Sequence, residues 1–106
     1  MRKFQKMSGR PRELAMPPGA SATAGSVEIL RAWIVNGGLH VALDPAFDSP
    51  DPWGIMLADI ARHAARAFAA QKTCSEKAAL ERIGSMLEAE LQRPTDLGTT
   101  QELKKQ

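Results

Sequence analysis

The chain has 106 residues, of which 43% are hydrophobic and 25% are charged, and its net charge is +2. This length leaves room for one domain, and the composition is ordinary for a soluble globular protein. Cys74 is the single cysteine, which excludes an intramolecular disulfide and suits a reducing cytosol. The apolar runs fall far short of the ~20 residues of a membrane span, and no apolar segment follows the basic start as in a signal peptide. We therefore expect a cytoplasmic protein.

Positive charge is concentrated at the two ends of the chain. Residues 1–26 carry five basic side chains and one acidic side chain, and residues 93–106 carry three basic and two acidic side chains. Residues 27–92 carry six basic and nine acidic side chains. A nucleic-acid-binding domain usually concentrates positive charge on its folded surface, so this distribution argues against nucleic acid as the main partner.

The composition predicts a folded centre between two tails. Residues 8–26 are rich in Gly, Pro, Ser, Thr and Ala and offer little to bury, so residues 1–26 are predicted to be a flexible basic segment. Residues 27–92 are predicted to be a single α+β domain, and residues 93–106 a flexible tail. The residues from Met7 onward would also suit the start of a protein. Translation is therefore expected to start at Met1 or at Met7.

Residues 27–44, VEILRAWIVNGGLHVALD, are predicted to form a β-hairpin. Asn36-Gly37 favours a type I′ turn, which needs positive φ at both central residues. A two-residue turn places six apolar residues on one face, pairing Ile34 with Leu39, Ala32 with Val41, and Leu30 with Leu43. The apolar residues of 27–35 also fit helical spacing with Gly37 as a C-cap, and this alternative stays open.

A first helix is predicted after the hairpin, from the stretch FDSPDPWG to about Ala70. Ser49 and Asp51 each offer a capping side chain followed by a proline, which the first helical turn tolerates. Apolar residues then recur every three or four positions, namely Trp53, Leu57, Ile60, Ala64 and Ala67.

A second helix is predicted to begin at TCSEKAAL, where Thr73 and Ser75 are equally suitable caps. It should stop by Arg93, because Pro94 disfavours helical backbone in the residue before it. Its predicted buried stripe consists of Leu80, Ile83, Leu87 and Leu91. The short linker favours an antiparallel helix pair.

These elements predict an α+β fold in which a β-hairpin is followed by two antiparallel α-helices packed on one sheet face. The second sheet face then lacks cover, and a two-stranded sheet is marginal in water. We expect a homodimer that extends the sheet or stacks this second face. The candidate dimer face consists of Ile29, Trp33, Val35 and His40. The alternative is that the N-terminal segment folds back over Trp33 and the protein stays monomeric.

One polar stripe on the first helix is the candidate docking or ligand patch. Asp59, Arg62, His63 and Arg66 have i, i+3, i+4, i+7 spacing opposite the apolar stripe. The stripe fits a solvated face with local ion pairs, a docking patch built from the two arginines, or a general base His63 oriented by Asp59. Since no nucleophile or oxyanion donor lies nearby, we assign no catalytic residue.

Metal binding and cofactor binding are not predicted. A zinc site needs three or four protein ligands, and the chain offers only two histidines and one cysteine at unrelated spacings. No phosphate-binding loop is present, since the Gly37-Gly38 turn is not followed by a helix or by a Lys-Ser/Thr pair.

The phrases LRAWIVNGGLHVALDPAF, WGIMLADIARHAARAF and RPTDLG resemble a small, mainly alphaproteobacterial protein family of unknown function. The resemblance covers roughly residues 8–98. It implies a bacterial, cytoplasmic protein, and it carries no catalytic or binding residues over to this chain. The residues before Met7 depart from the family pattern.

Three functions follow as expectations. The first is a non-enzymatic homodimeric module that binds a protein or a small ligand. The second is a small enzyme or ligand-responsive domain with a pocket between sheet and helices, using His40, Asp59 or His63. The third is weak, electrostatic nucleic-acid binding through the basic N-terminal tail.

Overall fold

The computed structural model describes residues 9–95. In chain order, the elements are α1 (Pro18–Ala22), β1 (Leu30–Val35), β2 (Gly38–Leu43), α2 (Asp51–Ala70) and α3 (Glu76–Gln92). The predicted α+β order of a hairpin followed by two helices is confirmed. The chain divides into two compact units between Ala46 and Phe47. A single domain over residues 27–92 and helices packed on a sheet face stay predictions, and the predicted flexibility of residues 1–8 and 96–106 lies outside the described residues.

The β-hairpin has the predicted register. Leu30 pairs with Leu43, Ala32 with Val41, and Ile34 with Leu39. Asn36 and Gly37 have φ angles of 51° and 84°, as a type I′ turn requires. The helical alternative for residues 27–35 is wrong, because this turn returns the chain directly into a second strand that pairs with the first.

An aspartate ends the hairpin. The Asp44 amide donates to the Ile29 carbonyl at 2.9 Å, which adds one bond beyond the end of β1. The Asp44 carboxylate accepts from the Ala46 amide at 3.0 Å, and Ala46 has a φ of 70°. This is the local side-chain-to-backbone bond by which aspartate favours turns.

A short helix, α1, lies in the segment for which no secondary structure is predicted. It spans five residues, Pro18–Ala22, and has a proline in its first turn. A proline is favoured there because its fixed φ suits the helix and the first turn needs no amide donor. The Ser21 hydroxyl donates to the Pro18 carbonyl at 3.1 Å.

Both long helices begin where their sequence signals indicate. At the start of α2, the Ser49 hydroxyl accepts from the Asp51 amide at 3.2 Å. At the start of α3, Ser75 rather than Thr73 is the N-cap, and its hydroxyl accepts from the Ala78 amide at 3.1 Å. The end of α3 at Gln92 agrees with the predicted stop before Pro94.

The connection between α2 and α3 is a Schellman-type reversal. The Lys72 amide donates to the Ala69 carbonyl at 2.9 Å, and the Thr73 amide donates to the Phe68 carbonyl at 3.1 Å. Lys72 has the left-handed φ of 62° that this motif usually assigns to glycine. Because the reversal takes five residues and the two helices pack together, they form an antiparallel pair.

Small residues lie at the centre of this helix pair. The buried residues of the described chain are Ala65 on α2 and Ala79 on α3. Leu57 and Ile60, which the sequence predicts to be in the buried stripe, are 45% and 48% exposed. Both buried positions of the described helix pair are therefore alanines, whose small side chains allow helices to approach closely. Leu87 and Leu91 of the predicted α3 stripe are also exposed.

The turn makes a testable prediction about Gly37. Gly37→Ala should lower the free energy of unfolding by about 1 kcal/mol, because an L-residue is strained at positive φ. The control is Gly38→Ala, since Gly38 is not among the positive-φ residues and its new Cβ would meet the Val35 carbonyl oxygen at an ordinary 3.6 Å. Urea unfolding measures both variants, and equal losses would contradict this account of the turn.

Candidate functional site

The predicted polar stripe lies on the solvent side of α2. Asp59, Arg62, His63 and Arg66 are all exposed. At 100° of rotation per residue these four positions share one side of the helix, away from the apolar positions 57, 60 and 64. The structure therefore brings the four predicted residues onto one surface.

Each arginine of this stripe has an acidic partner. The Arg62 guanidinium lies 3.3 Å from the Asp59 carboxylate on the same helix. The Arg66 Nε atom lies 3.7 Å from the carboxylate of Glu76, in the first turn of α3. An approaching anion would have to compete with both carboxylates. The stripe therefore matches a solvated face with local ion pairs better than an anion-binding patch.

The Asp59 carboxylate accepts a hydrogen bond from the Arg62 guanidinium. The interpretation of His63 as a general base oriented by Asp59 stays a prediction. Sequence analysis also missed Glu76 as a member of this surface. Its position just after the reversal between the helices is the signal that could have placed it near the end of α2.

One residue of the N-terminal segment forms an ion pair on the candidate dimer face. Trp33 pairs with His40, as the register predicts, and Ile29 and Trp33 are half-buried whereas Val35 and His40 are exposed. Arg31 alternates onto the same face. Its guanidinium lies 2.7 Å from Glu13 and 3.0 Å from Glu28.

Glu13 therefore connects the N-terminal segment to the hairpin beside Trp33. This contact supports the alternative in which the segment folds back toward that face. Sequence analysis did not identify the pair, although Glu13 is the one acidic residue among five basic residues in positions 1–26.

The opposite face of the hairpin is apolar and open. We call it the apolar sheet face, and it consists of Leu30, Ala32, Ile34, Leu39, Val41 and Leu43. It has no charged side chain, and the exposed fractions of Ile34, Leu39, Val41 and Leu43 are 46%, 65%, 49% and 42%. That the helices pack on this face stays a prediction, and the face was not predicted from the sequence as a candidate binding surface.

The described residues offer no metal centre. Within residues 9–95, no group of three His, Cys, Asp or Glu side chains could hold a metal ion. A shallow depression lies along α3, where it is lined by Glu81, Arg82, Ser85, Met86 and Ala89. None of the helices in residues 9–95 is both long enough and apolar enough to span a membrane.

Comparison with known proteins identifies a family and similarity to solved structures. The family model described as "Domain of unknown function (DUF5076)" matches residues 13–95. A solved structure from the photosynthetic bacterium Rhodopseudomonas palustrus CGA009 is 46% identical, with a TM-score of 0.73. The match covers 92% of this chain and 100% of that chain, which is provisionally named a pyruvate dehydrogenase. Comparison with curated proteins finds no match.

The ion pairs of the stripe predict small effects on stability. Arg62→Gln and Arg66→Gln should each lower the free energy of unfolding by less than about 0.5 kcal/mol, because exposed pairs are screened by water. As a control on the same helix, Ala65→Leu should cost about 1–3 kcal/mol, because Ala65 is fully buried. Thermal unfolding with calorimetry would measure the three variants, and a loss above ~1 kcal/mol at either arginine would contradict the solvated-face interpretation.

Proposed function

This chain belongs to the family described as a domain of unknown function (DUF5076), and we propose from its surfaces that it is a non-enzymatic homodimeric module that binds another protein. The apolar sheet face is the proposed docking surface. The partner that we propose for it is an apolar, extended segment of a second protein.

The observation that carries the proposal is the combination of this face with open strand edges. Within residues 9–95 the sheet has two strands, β1 and β2, each paired only with the other. Each strand therefore has an outer edge whose backbone amides and carbonyls can pair with an added strand. An apolar extended segment could add its backbone to the outer edge of β2 and place alternate side chains beside Leu39 and Val41.

The chemistry of the face favours an apolar partner over a charged one. The apolar sheet face has no charged side chain, whereas Arg31 on the opposite face is already paired with Glu13 and Glu28. The arginines of α2 are likewise paired with carboxylates. Burial of exposed apolar side chains against a partner is favourable by roughly 25 cal/mol per Å².

Two neighbouring residues of β2 provide a matched test. His40 and Val41 are both exposed and point to opposite sheet faces. Val41→Lys should raise the Kd for the partner at least about tenfold, because docking would desolvate the new ammonium group. His40→Lys adds the same charge on the other face and should leave the Kd unchanged.

The measurement has two stages. In the first stage, cross-linking identifies proteins that bind the wild type and His40→Lys but not Val41→Lys. In the second stage, the purified partner is titrated against all three proteins. Equal binding by the two variants would contradict the proposal. A fall of several degrees in the Tm of Val41→Lys would also contradict it, because the chain itself would then cover this face.

A second candidate function is enzymatic, and the name of the similar Rhodopseudomonas structure is the observation that favours it. If that activity extended to this chain, pyruvate would bind the native state and raise its Tm. We expect no rise in Tm with pyruvate and no pyruvate-dependent reduction of an electron acceptor. His40→Ala and His63→Ala serve as controls, since the enzymatic alternative uses these residues. Turnover that either substitution abolishes would overturn the non-enzymatic proposal.

A further inference from the structure

We call residues 47–93, which contain α2 and α3, the helical unit. Its linker half holds the connection between the helices, its open half holds the other ends of both helices, and the two halves carry opposite charges. Asp59 and Arg62 lie in the middle of α2 and are paired with each other, so they are counted in neither half. The linker half, residues 63–82, contains four basic and two acidic side chains, a net charge of +2. The open half, residues 47–58 and 83–93, contains one basic and four acidic side chains, a net charge of −3.

The charges at the two ends of the helical unit act separately on an approaching molecule. The 20 residues of α2 extend over about 30 Å at 1.5 Å per residue. This length is several times the Debye length of about 8 Å at physiological ionic strength. An approaching surface therefore experiences the charge of the nearer end rather than the nearly neutral sum.

We propose that a second copy of this chain docks on the helical unit with its helices antiparallel, so that each linker half faces the open half of the other copy. This inference specifies the interface of the homodimer proposed above and rests on that proposal. In this orientation a two-fold axis makes the favourable contact twice. A parallel orientation would oppose +2 to +2 and −3 to −3.

Apolar side chains lie between the charged ends and supply surface to bury. Leu57 and Ile60 of α2 are about half exposed, and Met86 and Leu87 of α3 are 64% and 45% exposed. Exposed apolar patches rimmed by polar residues are typical of protein interfaces. Burial of these side chains provides affinity, and the charges determine the orientation.

Charge reversal at exposed residues tests the orientation. The linker variant is Lys72→Glu with Lys77→Glu, and the open variant is Asp48→Lys with Glu88→Lys. All four residues are exposed. At residues 77 and 88 the new charges agree with the helix dipole, because Lys77 lies in the first turn of α3 and Glu88 lies in its second half. The variants should therefore fold, and circular dichroism verifies this.

The dimer Kd is measured by sedimentation equilibrium for each protein. Each variant alone should have a Kd raised at least about tenfold, because the linker half changes from +2 to −2, or the open half from −3 to +1, and attraction becomes repulsion at both symmetric contacts. The equimolar mixture should form a heterodimer that binds more tightly than either variant alone, because opposite charges meet at both of its contacts. A chain with all four substitutions should recover part of the homodimer affinity, because its halves carry −2 and +1 and attract each other again.

The outcomes separate the two proposals. A wild-type chain that stays monomeric at high micromolar concentration overturns the homodimer and this interface together. A wild-type dimer whose Kd is unchanged in both variants overturns the antiparallel interface alone. Weak variants whose mixture does not recover affinity overturn it as well, because complementary charges must restore the contact in an antiparallel dimer.

Discussion

Both units of this chain depend on a tight reversal that requires backbone with positive φ. At Asn36-Gly37 the reversal fixes the strand register and so decides which six apolar residues share a face. At Lys72 it brings α3 back along α2 through two bonds that satisfy the last carbonyls of the helix. The first reversal uses an asparagine and a glycine, which tolerate this backbone, whereas the second places a lysine there and depends on the bonds around it.

The reversals bring together surfaces that bury little within each unit. Ala65 and Ala79 are the buried residues of the described chain, and the large side chains beside them are partly exposed. Small residues at a helix contact bring the backbones close but remove little apolar area from water. Exposed apolar area on both the hairpin and the helix pair is the physical basis for proposing that this chain associates with other chains.

Three arginines of this protein are paired with carboxylates, and this limits what the surfaces around them can recognise. Arg31, Arg62 and Arg66 each have a carboxylate within 4 Å, which weakens their capacity to hold an anion. The family description and the name of the similar Rhodopseudomonas structure assign no residue of this chain a role. The uncharged sheet face and the opposite charges at the ends of the helix pair therefore carry the functional proposals.

Local signals in the sequence determined the hairpin with its register, the two long helices and the order of these elements, because turn residues, caps and strand alternation act over a few residues. The same reasoning recognised Ser75 as a possible cap and placed Asp59, Arg62, His63 and Arg66 on one side of a helix. Only the tertiary structure decided that Glu76 pairs with Arg66 and that Glu13 pairs with Arg31, since these partners are 10 and 18 positions apart. It also decided that Ala65 and Ala79, rather than Leu57 and Ile60, are the buried residues of the helix pair. Periodicity shows that a helix has an apolar side, but the partner helix selects which part of that side it covers.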